Sequence, residues 1–487
     1  MVKTIGNVQE DGQVRAVASG VISNGDTIIV NSDGTVSAVS GNDAGAGTPT
    51  TISSATALSE SQAVYDPDQG KVIVAFHRDA NPYYGAAVVG TVSGTSISFG
   101  SITKFQADNT QGMQGLAMGY DTNSDKIFIA YGDKNNSTYG TGVVGTVSGT
   151  SISFGTPAVF ISASVRTCEV SFDTNENKFL LTYFQSTAKS KVVTVSGSSF
   201  SSSSEVQFNG GNTGRAPMAF STSANKHVLI YADNDQLGHC QYIVGTISGS
   251  TVSYGTEGDL NNVSTGRMNI AYDASLNKFL AVYTDNASSP AGQGKARVGT
   301  LSGTTVTWGS IAVFNSSTTY FPDVATDGNG NFVISFVDNG NSNYPTFMSA
   351  TVSDTTVSFG DKVVVQEVSG ESGAVVGLSL MAYDSANEKY VLPYNNFTNG
   401  GILASAVLQL ASTNLTSDNF IGFADGAYAD TQSAAINSTC SVDDNQTGLT
   451  AGQKYYVQTD GTLSTTAGSP TVEAGTAISP TKILVKG

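Results

Sequence analysis

Cysteine, histidine, tryptophan and charged residues are all scarce in this chain of 487 residues, and each shortage removes a class of function. Its three cysteines, Cys168, Cys240 and Cys440, lie far apart without CxxC or metal-ligand spacing, so neither a disulfide scaffold nor a structural metal site is expected. An odd number leaves at least one thiol unpaired. The three histidines, His77, His227 and His239, have no HExxH spacing, and no GxSxG elbow or phosphate-binding loop occurs. No catalytic residue and no cofactor is therefore assigned. Basic residues number 22 against 39 acidic ones, a formal charge of −17 that repels a phosphate backbone, so nucleic-acid binding is not expected. No apolar run is long enough to span a bilayer, which argues against membrane insertion. The opening MVKTIGNVQEDGQVRAVASG also lacks the apolar stretch of a secretion signal. Helical periodicity of any length is missing too, which disfavours α/β and bundle folds. What is present is 54 glycines, abundant Ser, Thr and Asn, and 39% hydrophobic residues, a mixture that suits short strands and tight turns around a folded core.

Comparison of the chain with itself shows how those strands are organised. One block recurs seven times: YDPDQGKVIVAF from Tyr65, YDTNSDKIFIAY from Tyr120, FDTNENKFLLTY from Phe172, FSTSANKHVLIY from Phe220, YDASLNKFLAVY from Tyr272, ATDGNGNFVISF from Ala325 and YDSANEKYVLPY from Tyr383. From Asp66 to Asp384 is 318 residues in six steps, an average of 53, close to the length of a four-stranded propeller blade. A second block, such as VVGTVSGTSISFG from Val88 and again from Val143, follows most copies of the first. Each block reads as a hairpin, so two per repeat predict four strands per blade. The seventh copy lacks the SGTxxSFG segment of an outer strand. Ahead of the first copy, Thr50-Thr51-Ile52-Ser53-Ser54-Ala55 stands where other repeats carry outer-strand sequence, so residues 48–55 are expected to close the ring on the seventh blade and cover an exposed edge.

The predicted fold is all-β: a seven-bladed β-propeller over residues 48–411, with a small composite β-domain formed by residues 1–47 and 412–487. The segment Gly25–Ser37 matches Gly452–Ser464, each a strand, an Asp-Gly turn and a strand. The N-terminal part is too short to bury a core alone.

The C-terminal NFIGFADGAY and QTGLTAGQKYYVQTDGTLSTTAGSPTVEAGTAISPTKILVKG, with GVISNGDTIIVNSDGTVS near the N-terminus, resemble virion structural proteins of marine tailed bacteriophages, often described as tail-fibre-like. The resemblance lies in residues 419–487 and 20–37 and supplies no active-site residues. It implies a virion component, tail-fibre or tail-associated, assembled in the host cytoplasm and exposed on the extracellular particle as a homo-oligomer, with other virion proteins as partners. A composition without export signal or thiol framework suits such a protein. Alternatives are a capsid-surface decoration protein and, from another class, a glycan hydrolase with a sialidase-like propeller.

Three side chains stand out as a possible ligand site. Of six arginines, Arg166, Arg215 and Arg267 lie six or seven residues ahead of Asp173, Ser221 and Asp273, in three consecutive copies. If the strand before each turn is the innermost of its blade, the three guanidinium groups converge at one mouth of the channel, able to grip a carboxylate or phosphate of a host-surface glycan. The competing expectation is that each ties neighbouring blades together. A sialidase would add a Tyr/Glu pair and an acid, and Tyr320 stands at the corresponding place in the sixth copy. The recurrent turn Asp residues are expected to bond backbone two residues on rather than hold calcium. Phe99, Phe154, Tyr254, Trp308 and Phe359 are expected to pack between neighbouring sheets.

Overall fold

A computed structural model describes residues 12–55, 58–211, 213–368, 379–396, 401–468 and 470–486. The fold is all-β; its only helical elements among the described residues are three single 3-10 turns. The chain divides into two compact units, Ala46–Gln409 and a second made of Met1–Gly45 with Leu410–Gly487. These boundaries fall two residues from those read in the sequence.

In the larger unit each repeat is an antiparallel meander. The second sheet is typical, with Met113–Asp121, Lys126–Asp133, Tyr139–Ser148 and Ser151–Phe154 side by side. The turn joining its first two strands forms because Asp121 Oδ1 accepts from the backbone N–H of Asn123 and Ser124. The same arrangement recurs at Asp66, Asp173 and Asp384. In the fourth copy Ser221 Oγ takes over, accepting from Ala224 N–H. This is the local Asx and Ser turn chemistry that the repeated block encodes. The second hairpin turns at a glycine of positive φ, Gly149 at +59°, and in the sixth copy Asp354 tolerates the same region at +53°.

The outer position differs from a plain fourth strand. Two short segments share it, one opposite each half of the third strand: Ser151–Phe154 pairs with Gly145–Ser148, and Ala158–Ser164 pairs with Tyr139–Gly142. The second segment then leads to the inner strand of the following sheet. Twice the passage is unbroken, in the long strands Gly258–Asp273 and Ala312–Thr326.

The seventh sheet, Ala382–Asp384, Lys389–Asn396 and Ile402–Gln409, gains its outer strand from far away in sequence. Thr50–Ser53 pairs with Leu403, Ala404 and Ser405. Gly47 N–H bonds to Val407 O, reproducing the bond that Gly100, Gly155, Gly255 and Gly309 make within their own sheets. One apolar cluster accordingly joins Ile52, Val72, Val74 and Phe76 to Val391, Leu403 and Val407. The aromatic residues of the second hairpin pack across sheets as expected from their recurrence: Phe154 lies edge-on to Phe105 at 5.5 Å, Tyr254 meets Phe208 at 5.4 Å, and Trp308 meets Tyr242 at 5.9 Å.

The smaller unit has two main sheets. One orders Gln13–Val17, Ser433–Asn437, Phe420–Ala424, Thr27–Val30 and Val36–Ala38, so two C-terminal strands lie between N-terminal ones. The other contains Val442–Asp443, Lys482–Val485, Val472–Ser479, Lys454–Val457 and Leu463–Ser464. The two matching Asp-Gly turns are built alike: Asp33 accepts from Thr35 N–H and hydroxyl, and Asp460 from those of Thr462.

In several sheets the glycine that follows the second hairpin is a packing requirement. A Cβ on Gly155 would collide with the carbonyl oxygen of Ser198 in the next sheet, and the same holds for Gly100 against Thr150 and Gly47 against Thr95. Gly155→Ala is therefore expected to cost about 1–3 kcal/mol, as overpacking against backbone does. Urea unfolding measures it; an unchanged midpoint would mean that the sheets do not meet there.

Candidate functional site

The first strand of most sheets lies at an edge, where one row of its backbone N–H and C=O groups has no strand to pair with; in the first sheet Leu58–Asp66 also pairs with Ser379–Leu380. Polar side chains of the preceding sheet meet that need. Gln62 Nε2 donates to Leu116 O at 2.5 Å, and its Oε1 accepts from Met118 N–H at 2.8 Å. Glu60 accepts from Leu116 N–H at 2.8 Å. Between the sixth and seventh sheets Asp323 accepts from Met381 N–H at 2.7 Å, while Asn269 of the fifth donates to its other oxygen at 2.6 Å. Counting back from the turn, Gln62, Glu169, Asn269 and Asp323 all stand four residues ahead of it. The polar position is thus a property of the repeat.

Two residues further upstream the inner strands are irregular. Register shifts fall at Ser59/Gln62, Gln114/Ala117, Thr265/Met268 and Tyr320/Asp323. Such bulges re-aim side chains at the rim of a sheet. Glu60 at φ +44° and Phe321 at φ +50° occupy the left-handed region there, an unusual conformation for bulky residues.

The three arginines fare differently in this setting. Arg215 is committed to Glu169 of the preceding sheet through both Nε and a terminal nitrogen, each at 2.5 Å. Burial opposes its charge, but Glu169 and Glu60 together hold the guanidinium above its ordinary pKa. It is an inter-sheet tie. Arg267 lies over the Phe321 ring, 4.3 Å from its centre. Arg166 is exposed and packs 5.9 Å from the Phe184 ring. A cavity of about 220 Å3 is lined by Thr213, Arg215, Ala232, Gly266, Arg267 and Met268. The structure brings Arg215 and Arg267 together on it; Arg166 is not part of its lining. The expected three-way convergence is not found in this lining, which takes in Arg215 and Arg267, while Arg166 stays at the exposed start of its strand.

Sequence reasoning missed the carboxylates of this region. Burial raises Asp323 to about 7, against the opposing pull of Met381 and Val324 N–H groups, Asn269 and Arg215. Its signal was available in the alternation of the inner strand, where a polar residue recurs on one face. Thr213, 3% exposed, has a hydroxyl with no hydrogen-bond partner and belongs to no repeat pattern. Tyr320, half-buried, neighbours the Phe321 ring at 6.5 Å. His227 is fully buried, and burial keeps its pKa below the usual value although Asp173 lies 3.7 Å away. Among the described residues no cluster of three or more His, Cys, Asp or Glu is placed to hold a metal ion.

No protein-family model and no curated protein matches the chain. Solved structures similar to it include a point mutant of NanB sialidase from Streptococcus pneumoniae, at 9% identity and TM-score 0.47, covering 63% of this chain and 70% of that one. The Cps50 (Swd1) beta-propeller domain of Myceliophteria thermophila is similar at 9% identity and TM-score 0.45, over 74% of this chain and 99% of that one. A protein of unknown function from Dyadobacter fermentans is similar at 11% identity and TM-score 0.42, over 80% and 99%.

Asp323 generates a pH prediction. With a pKa near 7 in the fold against 3.8 when unperturbed, the native state keeps a proton that the unfolded chain releases between those values. Stability contributed by this group is full below about pH 4, falls as pH rises to about 7 and is level above. Asp323→Asn should remove that fall, gaining on the wild type by roughly 2–4 kcal/mol between pH 4 and 8 at 1.36 kcal/mol per pKa unit. Urea unfolding of both proteins across this range checks the sign and size.

Proposed function

We propose that the chain is a bacteriophage virion structural protein, tail-fibre or tail-associated, that displays a closed seven-bladed β-propeller on the extracellular particle. In this reading residues 46–409 form the ring. The strand supplied by Thr50–Ser53 supports closure, as do the contacts that bridge the first and last sheets. Ser379–Leu380 pairs in parallel with Ser61 and Gln62, and Ala386 N–H donates to the Tyr65 hydroxyl at 3.3 Å. The smaller unit is the composite β-domain that docks to other virion proteins.

One observation carries the assignment. The two stretches that resemble phage virion proteins, residues 20–37 and 419–487, belong to the same compact unit, and Thr27 and Ile28 pair directly with Phe423 and Gly422. Sequence segments some 390 residues apart that resemble one family and fold as one sheet are what a shared docking module would produce.

The propeller's role is attachment without cleavage. The acidic chain disfavours general adsorption to an anionic envelope, so contact with a host-surface glycan is local and depends on avidity from several copies. The commitment of Arg215 to Glu169 supports a structural part for that residue.

Electron microscopy of purified particles labelled with antibody to this chain tests the assignment. Density on the tail is the expected result. Label on the capsid surface would support a decoration protein instead, and protein found only in infected-cell lysate would overturn both. Release of sugar from an acidic glycan by the purified chain would replace attachment with hydrolysis.

A further inference from the structure

We propose that His227, set against Asp173, is an acid-sensitive latch between the third and fourth sheets: the interface closes on the neutral imidazole and opens when the ring takes a proton.

The repeat shows what is unusual about this residue. The second residue of the second strand is Val72, Ile127, Phe179, Phe279, Phe332 or Tyr390 in the other six copies, each buried. His227 alone among the seven can gain a charge near neutral pH. Its strand neighbours on the same face, Leu229 and Tyr231, pack with Leu180 and Val192 of the third sheet, so it lies at that interface.

The carboxylate that His227 faces is also a feature of the repeat. In two copies the turn Asp is served across the interface by a neutral hydroxyl: Tyr120 donates to Asp66 at 3.0 Å, and Thr326 to Asp273 at 2.6 Å. Phe220 stands where Tyr120 does in the repeat and offers no hydroxyl to Asp173. The imidazole, 4.9 Å from the Phe220 ring, occupies that place instead, with Nε2 3.7 Å from Asp173 Oδ2. The two side chains are 0% and 1% exposed. Neither ring nitrogen has a hydrogen-bond partner, nor has Asp173 Oδ2.

The direction of the response follows from counting donors. An imidazolium carries two N–H groups; Asp173 lies on the Nε2 side, and Nδ1–H would stay buried without an acceptor. A buried ion pair with an unmet donor does not recover the cost of desolvation. Burial accordingly holds the ring below its ordinary pKa despite Asp173, which is the one charged group that acts on it. The other charged groups on the packed elements are engaged or turned away. Glu176 pairs with Lys178, Glu169 with Arg215 and Glu257 with Tyr231, while Lys226 precedes His227 in the strand and points to its opposite face. An opened interface lets the ring meet water and regain its ordinary affinity for a proton. The stability that this residue contributes is therefore present above about pH 6.5 and is lost as pH falls below it.

Hydrogen exchange of the full chain between pH 7.5 and 5.0, corrected for intrinsic rates and read peptide by peptide, tests the latch. Opening of Met218–Tyr231 and Thr167–Phe184 is expected to rise by up to about 30-fold over this range, the most that a group of ordinary pKa near 6.5 in the open state confers. Met113–Asp133 in the second sheet should change less than about twofold, since no such group links it to its neighbours. Asp323 responds in the opposite sense and lies in the sixth sheet, so peptide-level reading keeps the two apart. His227→Phe, which installs the side chain of three other copies, should abolish the rise. His227→Gln, polar but without charge, should abolish it as well even if it loosens the interface at every pH. A rise of equal size in either variant, no rise in the wild type, or protection that increases with acid would overturn the proposal. Its outcome does not depend on where the protein resides.

Discussion

Most sheets of the larger unit begin with an inner edge strand whose free backbone groups must be satisfied inside the protein, and that requirement organises the rest. Unpaired buried amides and carbonyls cost about 1–3 kcal/mol each, so the inner strands cannot simply abut one another. Side chains four or six residues ahead of the turn meet the demand in the first and sixth sheets: Gln62 and Glu60 serve Leu116 and Met118, and Asp323 serves Met381. These bonds also set the spacing of neighbouring sheets, which places Arg215 against Glu169 and Arg267 over Phe321. The same polar ties that hold the strands therefore shape the wall of the cavity. Its charge is a by-product of backbone satisfaction.

Glycine performs the complementary task at the outer side. Where the second hairpin ends, Gly100, Gly155 and Gly309 let one sheet approach the backbone of the next, and Gly47 stands in the same relation to Thr95. Sheet contact is aromatic beyond that point, as the pairs Phe105 with Phe154 and Phe314 with Phe359 illustrate. A Gly-rich, charge-poor chain is what such close, repeated backbone approach demands.

Much of the fold was legible because the repeat writes its local chemistry plainly. Asp at the turn, glycine in the second hairpin and the aromatic before the next glycine each have one physical use, and the structure puts Asp121, Gly149 and Phe154 to those uses. The pairing of Thr50–Ser53 with the seventh sheet was legible by subtraction, from a copy that lacked an outer strand. The site was less legible. Arg166, Arg215 and Arg267 hold equivalent places in sequence, yet bulges in the inner strands and the presence of Glu169 opposite only one of them give each a different environment. Asp323 and Glu169 showed a weak signal in strand alternation, whereas the burial of the Thr213 hydroxyl showed none, because it follows from packing that only three dimensions reveal.

The central claim is that a strand from the start of the larger unit completes its last sheet and closes the ring. Thr51 and Ala404 are register partners across that seam. Thr51→Cys combined with Ala404→Cys, in a Cys440→Ser background that removes the exposed native thiol, puts the claim to a direct measurement by mass spectrometry of the digested, mildly oxidised protein. The account predicts a disulfide joining the two peptides in nearly all molecules, with circular dichroism unchanged. Two freely alkylated thiols at positions 51 and 404 in a folded protein would contradict it.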